Sequence, residues 1–85
     1  MLEKLIQEGE QVRQTCAQDG MVGQFMVGED YEKWIAKCTL FMERTYPKET
    51  LTQRFIEASK KAVGNSTSYY DTMIGILKAL NEYEG

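Results

Sequence analysis

Residues 19–34 read DGMVGQFMVGEDYEKW, and the fold turns on how this stretch is read. Gly20, Gly23 and Gly28 interrupt a run of large apolar residues, Met21, Val22, Phe25, Met26 and Val27. Gly23 and Gly28 have the G-x-x-x-x-G spacing of a phosphate-binding loop. That loop needs a lysine and then a hydroxyl directly after its last glycine, to reach the phosphates and to hold magnesium. Glu29-Asp30 stands there instead and repels a phosphate. Two acids at that point suit the positive end of a helix dipole, so they mark a helix start. Gly20 and Gly23 also match the G-x-x-G of KH domains, which clamps a nucleic-acid backbone in a mixed sheet-and-helix fold. Neither that fold nor local basic charge is legible here. The segment is therefore expected to be a Gly-rich apolar loop between two helices. It either folds back over the bundle end as a lid on the core or a short hairpin, or it offers a Met/Phe patch to a partner.

Outward from this stretch, helical periodicity dominates. Upstream, Leu2, Leu5, Ile6, Gly9, Val12 and Cys16 recur at i, i+3, i+4 and i+7, and Asp19-Gly20 is expected to stop the helix in the left-handed conformation. Gly9 lies within the apolar stripe, where glycine costs about 1 kcal/mol against alanine and lets a neighbouring backbone come close. Downstream, a second helix is expected over residues 29–46, with Tyr31, Trp34, Ile35, Cys38, Phe41 and Met42 on one face and Pro47 as the stop. Leu40 lies on the other side, among Lys33, Lys37 and Arg44. Thr50 and Gln53 form a capping box for a third helix with Leu51, Phe55, Ala58, Ser59 and Ala62 inward, closed by Gly64-Asn65. Ser68 and Asp71 form a similar start for a fourth, reaching about Tyr83. Its apolar residues, Tyr69, Tyr70, Met73, Ile74, Ile76, Leu77, Leu80 and Tyr83, cover about half the circumference, so it should be the most buried. Gly75 falls on its polar side, where it could admit another segment or subunit. The expected fold class is all-α, a compact bundle of about four helices, as a single domain over residues 1–85.

Bulk properties narrow the function classes. Eighty-five residues carry a net charge of −3 with mixed signs, which disfavours nucleic-acid binding. No apolar run approaches the ~20 residues of a membrane span, and the start lacks the layout of a secretion signal. The expectation is a cytoplasmic protein without membrane or nucleic-acid partners. Two cysteines, Cys16 and Cys38, fall on apolar faces and read as reduced, buried thiols rather than a disulfide or metal pair. The chain has no histidine and no C-x-x-C, so no metal or other cofactor is expected. Asn65-Ser66-Thr67 matches a glycosylation sequon by chance in a cytosolic chain. Catalysis is not expected either: the commonest general base is missing, and acid pairs such as Glu29/Asp30 and Glu82/Glu84 read as solvated surface.

Two stretches, residues 27–44 (VGEDYEKWIAKCTLFMER) and 73–85 (MIGILKALNEYEG), resemble a small all-helical N-terminal domain of certain bacterial proteins. In those proteins similar modules precede a separate effector or enzymatic domain, and many are uncharacterised or linked to phage defence. The likeness covers most of the chain, best over residues 31–85. It rests on Tyr31-Glu32-x-Trp34 and Gly75-Ile76-Leu77-Lys78-Ala79-Leu80. It implies an accessory, recognition or oligomerisation module of the kind that forms the N-terminal part of a longer protein; it implies no ligand and no catalytic residue.

These readings converge on a non-enzymatic helical module that binds a protein partner or its own copy. The contact residues expected are Phe25, Met26 and Leu40, with Lys33, Lys37 and Arg44 around Leu40. The alternative is a small-ligand sensor, in which segment 21–27 closes over a pocket near Trp34; no motif supports a particular small molecule.

Overall fold

A computed structural model describes residues 1–84 of the chain. Four helices, α1 (Leu2–Cys16), α2 (Glu29–Thr45), α3 (Thr50–Ala62) and α4 (Thr67–Glu84), account for most of them. Three short strands, β1 (Ala17–Gly20), β2 (Gly23–Met26) and β3 (Asn65–Ser66), make one antiparallel sheet in the order β1-β2-β3. The body measures 38 × 21 × 20 Å.

The all-α expectation is thus corrected at the stretch that decided it. The segment between α1 and α2 is a β-hairpin, paired Ala17↔Met26, Gln18↔Phe25, Asp19↔Gln24 and Gly20↔Gly23. Met21 and Val22 form its two-residue tip. Such tips usually need positive φ at their central residues, yet among the described residues only glycines have positive φ. The reversal is taken up just after the tip, at Gly23 with φ 129°, a conformation that side chains rarely adopt. Gly28, with φ 130°, then turns the chain into α2 as its N-cap. The two glycines that suggested a phosphate loop are both backbone hinges. Asp19-Gly20 does not stop α1, which ends three residues earlier at Cys16, because β1 takes over the backbone from Ala17.

Strand alternation puts Met26 inward, fully buried in the main core, while Met21 and Val22 are fully exposed. β3 adds a two-residue rung, Phe25↔Ser66 and Met26↔Asn65. The Gly64 amide donates to the Met26 carbonyl at 2.8 Å, and the Val27 amide to the Cys16 carbonyl at 3.3 Å. All three strands therefore sit at one end of the bundle, where α1 and α3 finish and α2 and α4 begin.

Within the bundle most positions of the expected stripes are buried: Leu2, Leu5, Gly9, Val12 and Cys16 on α1; Tyr31, Trp34, Cys38 and Met42 on α2; Phe55, Ala58 and Ala62 on α3, while Ile6, Ile35, Phe41, Leu51 and Ser59 are half-buried. α4 carries the most buried positions, six from Tyr70 to Leu80. Two details differ. Tyr83 is exposed, on the surface of α4 beside Glu49 and Leu51. Both capping boxes are replaced. Thr50 already lies within α3, whose N-cap Glu49 makes no side-chain cap bond. Ser66 caps α4 two residues before Ser68, its Oγ accepting from the Ser68 amide at 3.1 Å. Buried Thr52 donates its hydroxyl to the Tyr46 carbonyl at 2.7 Å and fixes the turn between α2 and α3.

The centre of the core is aromatic. Trp34 is 1% exposed and donates its indole N–H to the Leu5 carbonyl at 2.8 Å. Tyr31 stacks beside it at 6.3 Å and Tyr70 tilts against it at 5.6 Å, centroid to centroid. The indole lies directly over Gly9: a Cβ there would come within 2.5 Å of the Trp34 ring and 2.8 Å of Ile74. So Gly9 does admit a close neighbour, but a side chain rather than a backbone. Tyr31 is enclosed completely, and its hydroxyl has no hydrogen-bond partner among the described residues.

Candidate functional site

The inner face of the α1–α2 pair is filled by that aromatic centre. Its outer face is open. The helices run antiparallel, since Cys16 meets Gly28 at the sheet end while Met1 shares a groove with Arg44 and Thr45 at the other. On α2, Lys33, Lys37, Leu40 and Arg44 are spaced 4, 3 and 4 residues apart and so share one side. On α1, Lys4 and Glu8 face them. Between the helices near the end away from the sheet lies a groove of about 370 Å³. Leu5 and Phe41 lie beneath, Met1 and Leu40 form apolar walls, and Lys4, Glu8, Lys37 and Arg44 make the rim. Leu40 is 51% exposed and Phe41 half-buried.

The charges around this groove are unequal. Lys37 pairs with Glu8 at 3.0 Å. The remaining ion pair among the described residues is Lys78–Glu10 at 3.3 Å, elsewhere on α1 and α4. Lys4 and Arg44 make no ion pair among the described residues, so the rim carries an excess of positive charge in a chain whose net charge is −3.

The structure thus brings together three of the six expected contact residues, Lys37, Leu40 and Arg44. Lys33 lies one turn further toward the sheet, in a separate depression of about 230 Å³ with Val12, Thr15 and Asp30. Phe25 and Met26 are at the other end of the pair. Twelve helical residues separate Gly28 from Leu40, about 18 Å. Met26 is corrected outright: full burial in the core withdraws it from any contact surface. Phe25 is half-buried, its ring packed over Gly20. What the sequence reading lacked was the α1 side of the groove, Met1, Lys4 and Leu5. Leu40 is an expected contact residue among the α2 cations, whereas Lys4 reads only as a polar residue of α1. Only the antiparallel pairing sets them in one groove, and no short-range signal specifies that pairing.

A second hollow of about 640 Å³ lies between α1, α4 and the hairpin. Arg13 sits over the Tyr70 ring at 5.8 Å, and Lys78 and Glu10 neutralise each other. Its charges balance and its walls are mostly polar side chains of the surface.

Protonation keeps the core groups neutral. Burial pushes the Cys38 thiol up to about 12, with Glu8 adding to the effect and Lys37 opposing it. Burial likewise pushes Tyr70 up to about 12, with Glu10 and Asp71 adding and Arg13 opposing. Tyr31 is raised further, first by burial and then by Tyr70. A thiol held this far above neutral pH is a poor nucleophile. Cys16 and Cys38 are both buried and free. Among the described residues, no group of three or more Cys, Asp or Glu is placed to hold a metal ion, and no helix is long and apolar enough to cross a membrane.

Comparison with protein-family models, with curated proteins and with solved structures finds no match to the chain.

Proposed function

We propose that this chain is a non-enzymatic interaction module that receives a protein segment in the groove between α1 and α2. The observation that carries the reading is Leu40: half-exposed, on a helix face otherwise lined by cations, above an apolar floor of Leu5 and Phe41. A leucine alone on a surface needs no explanation, but an apolar groove with a polar rim is the form of a helix- or peptide-receiving site. The resemblance of residues 31–85 to bacterial accessory domains supports the same reading, with an effector domain as the setting.

The sensor alternative has less support. Trp34 faces the core, Met26 fills it, and the exposed tip residues Met21 and Val22 border a hollow of about 470 Å³ that Trp34 does not line.

The test is a Leu40→Asp variant, titrated with a panel of amphipathic helical peptides and followed by amide chemical shifts. In the parent, shifts should move at Lys4, Leu40 and Phe41. In the variant they should not, while thermal unfolding stays within about 0.5 kcal/mol of the parent, as expected at an exposed site. Binding that survives the substitution moves the function away from this groove.

A further inference from the structure

We infer that the occupant of the α1–α2 groove is an acidic amphipathic helix from a different protein; this rests on the groove being a docking site. The first argument is charge. Glu8 and Lys37 satisfy each other, which leaves Lys4 and Arg44 on either side of Leu40 without acidic partners among the described residues. Lys33 continues the positive line one turn on, with Asp30 beside it. Carboxylates flanking an apolar anchor meet that rim favourably, and the complementarity selects against basic or neutral helices.

Symmetry and surface pattern argue against a second copy. A two-fold dimer through this face sets the same patch against itself, so a rim of net positive charge would face a rim of the same charge. The remaining exposed large apolar residues, Met21, Val22, Val63 and Tyr83, are dispersed over the hairpin tip, the end of α3 and the last turn of α4. They form no helical stripe that another copy could lay in the groove.

The stem of the groove gives the partner's spacing. From Lys37 to Arg44 the groove runs about 10.5 Å, two helical turns, so the occupant places apolar anchors at i, i+3 or i+4, and i+7.

The experiment uses three synthetic peptides of one length with the same leucines at those positions. Their remaining residues are glutamate-rich, glutamine-rich or lysine-rich, and fluorescence anisotropy measures binding to the full chain. A Lys4→Glu/Arg44→Glu variant and Leu40→Asp are run in parallel, each checked for the parent's circular dichroism. The expected result is that the acidic peptide binds at least about tenfold more tightly than the basic one. Added salt should narrow that gap, charge reversal should invert it, and Leu40→Asp should abolish binding. If the glutamine- or lysine-rich peptide binds equally well and still needs Leu40, the acidic partner is overturned while the groove stands. If every binding event ignores Leu40, or no peptide binds, the groove reading falls with it. Concentration-dependent self-association that Leu40→Asp removes overturns the inference in favour of a second copy.

Discussion

The α1–α2 pair shows two opposite faces. Inward, Gly9 and Trp34 meet so closely that a single added methyl has no room. Outward, Lys4 and Leu40 stand apart over a groove of about 370 Å³. Both faces come from the same two helices, so neither propensity nor length accounts for the difference. What differs is the cover. The aromatic centre is capped by Tyr70, Ile74 and the rest of α4, whereas the groove is left with charges on its rim. Shape decides the inner face, and charge is the available discriminator on the outer one.

The largest effect should come from emptying the inner face. Trp34→Ala removes the central ring and its hydrogen bond to Leu5, and should cost about 3–5 kcal/mol. Urea unfolding followed by far-ultraviolet circular dichroism measures it. A cost below about 1 kcal/mol would mean that the two faces are packed alike.

Alkali probes the same contrast without mutation. Below pH 9 the Cys38 thiol and the core tyrosines are protonated in folded and unfolded chains alike, so their contribution is constant. Above pH 9 the unfolded chain releases the Cys38 proton first, at its ordinary 9.0 against about 12 when folded. Tyr70 follows from 10.0 against about 12. The unfolded state then binds fewer protons, and stability falls as pH rises from 9 toward 12. The slope is at most about 1.4 kcal/mol per pH unit for each group, less for Tyr70 because it borders the open hollow beside Arg13. Urea midpoints from pH 8 to 11 follow the decline; a flat profile would show that the inner face is wetter than described.

Gly9→Ala tests the joint by sign. Helix propensity alone predicts a gain of about 1 kcal/mol. The approach of the Trp34 ring and Ile74 predicts overpacking, for a net loss of about 1–2 kcal/mol. Gly75 is the outward control: nothing lies within 4 Å of a Cβ built there. Gly75→Ala should therefore stabilise the fold by about 0.5–1 kcal/mol, the smallest change of the series. Opposite shifts in thermal midpoint for the two substitutions would sharpen the comparison, and shifts of the same sign would break it.

The helices were legible because periodicity is local. Tyr31, Trp34, Cys38 and Met42 could be assigned to one face from spacing alone, and they are buried. The hairpin was only half legible. Its apolar residues and glycines were visible, but a two-residue tip of Met21-Val22 lacks the Asn-Gly signal of a tight turn, and the strand that pairs with its second arm lies forty residues on. Thr52 was missed because a hydroxyl on an apolar face reads as polar until its acceptor, the Tyr46 carbonyl, is known. Of the groove, sequence spacing supplied the α2 side, Lys37, Leu40 and Arg44. The α1 side depends on how two helices dock, which is a long-range property.

The rung between Gly64 and Met26 carries one more consequence. It joins the α3–α4 connection to the α1–α2 connection, so the two helical hairpins are clasped at the sheet end. At the other end Tyr46, Thr52 and Pro47 close a single connection between α2 and α3. Hydrogen exchange should register that clasp: the Gly64 and Val27 amides, held by it, are expected to exchange more slowly than amides in the first turn of α1 beside the groove.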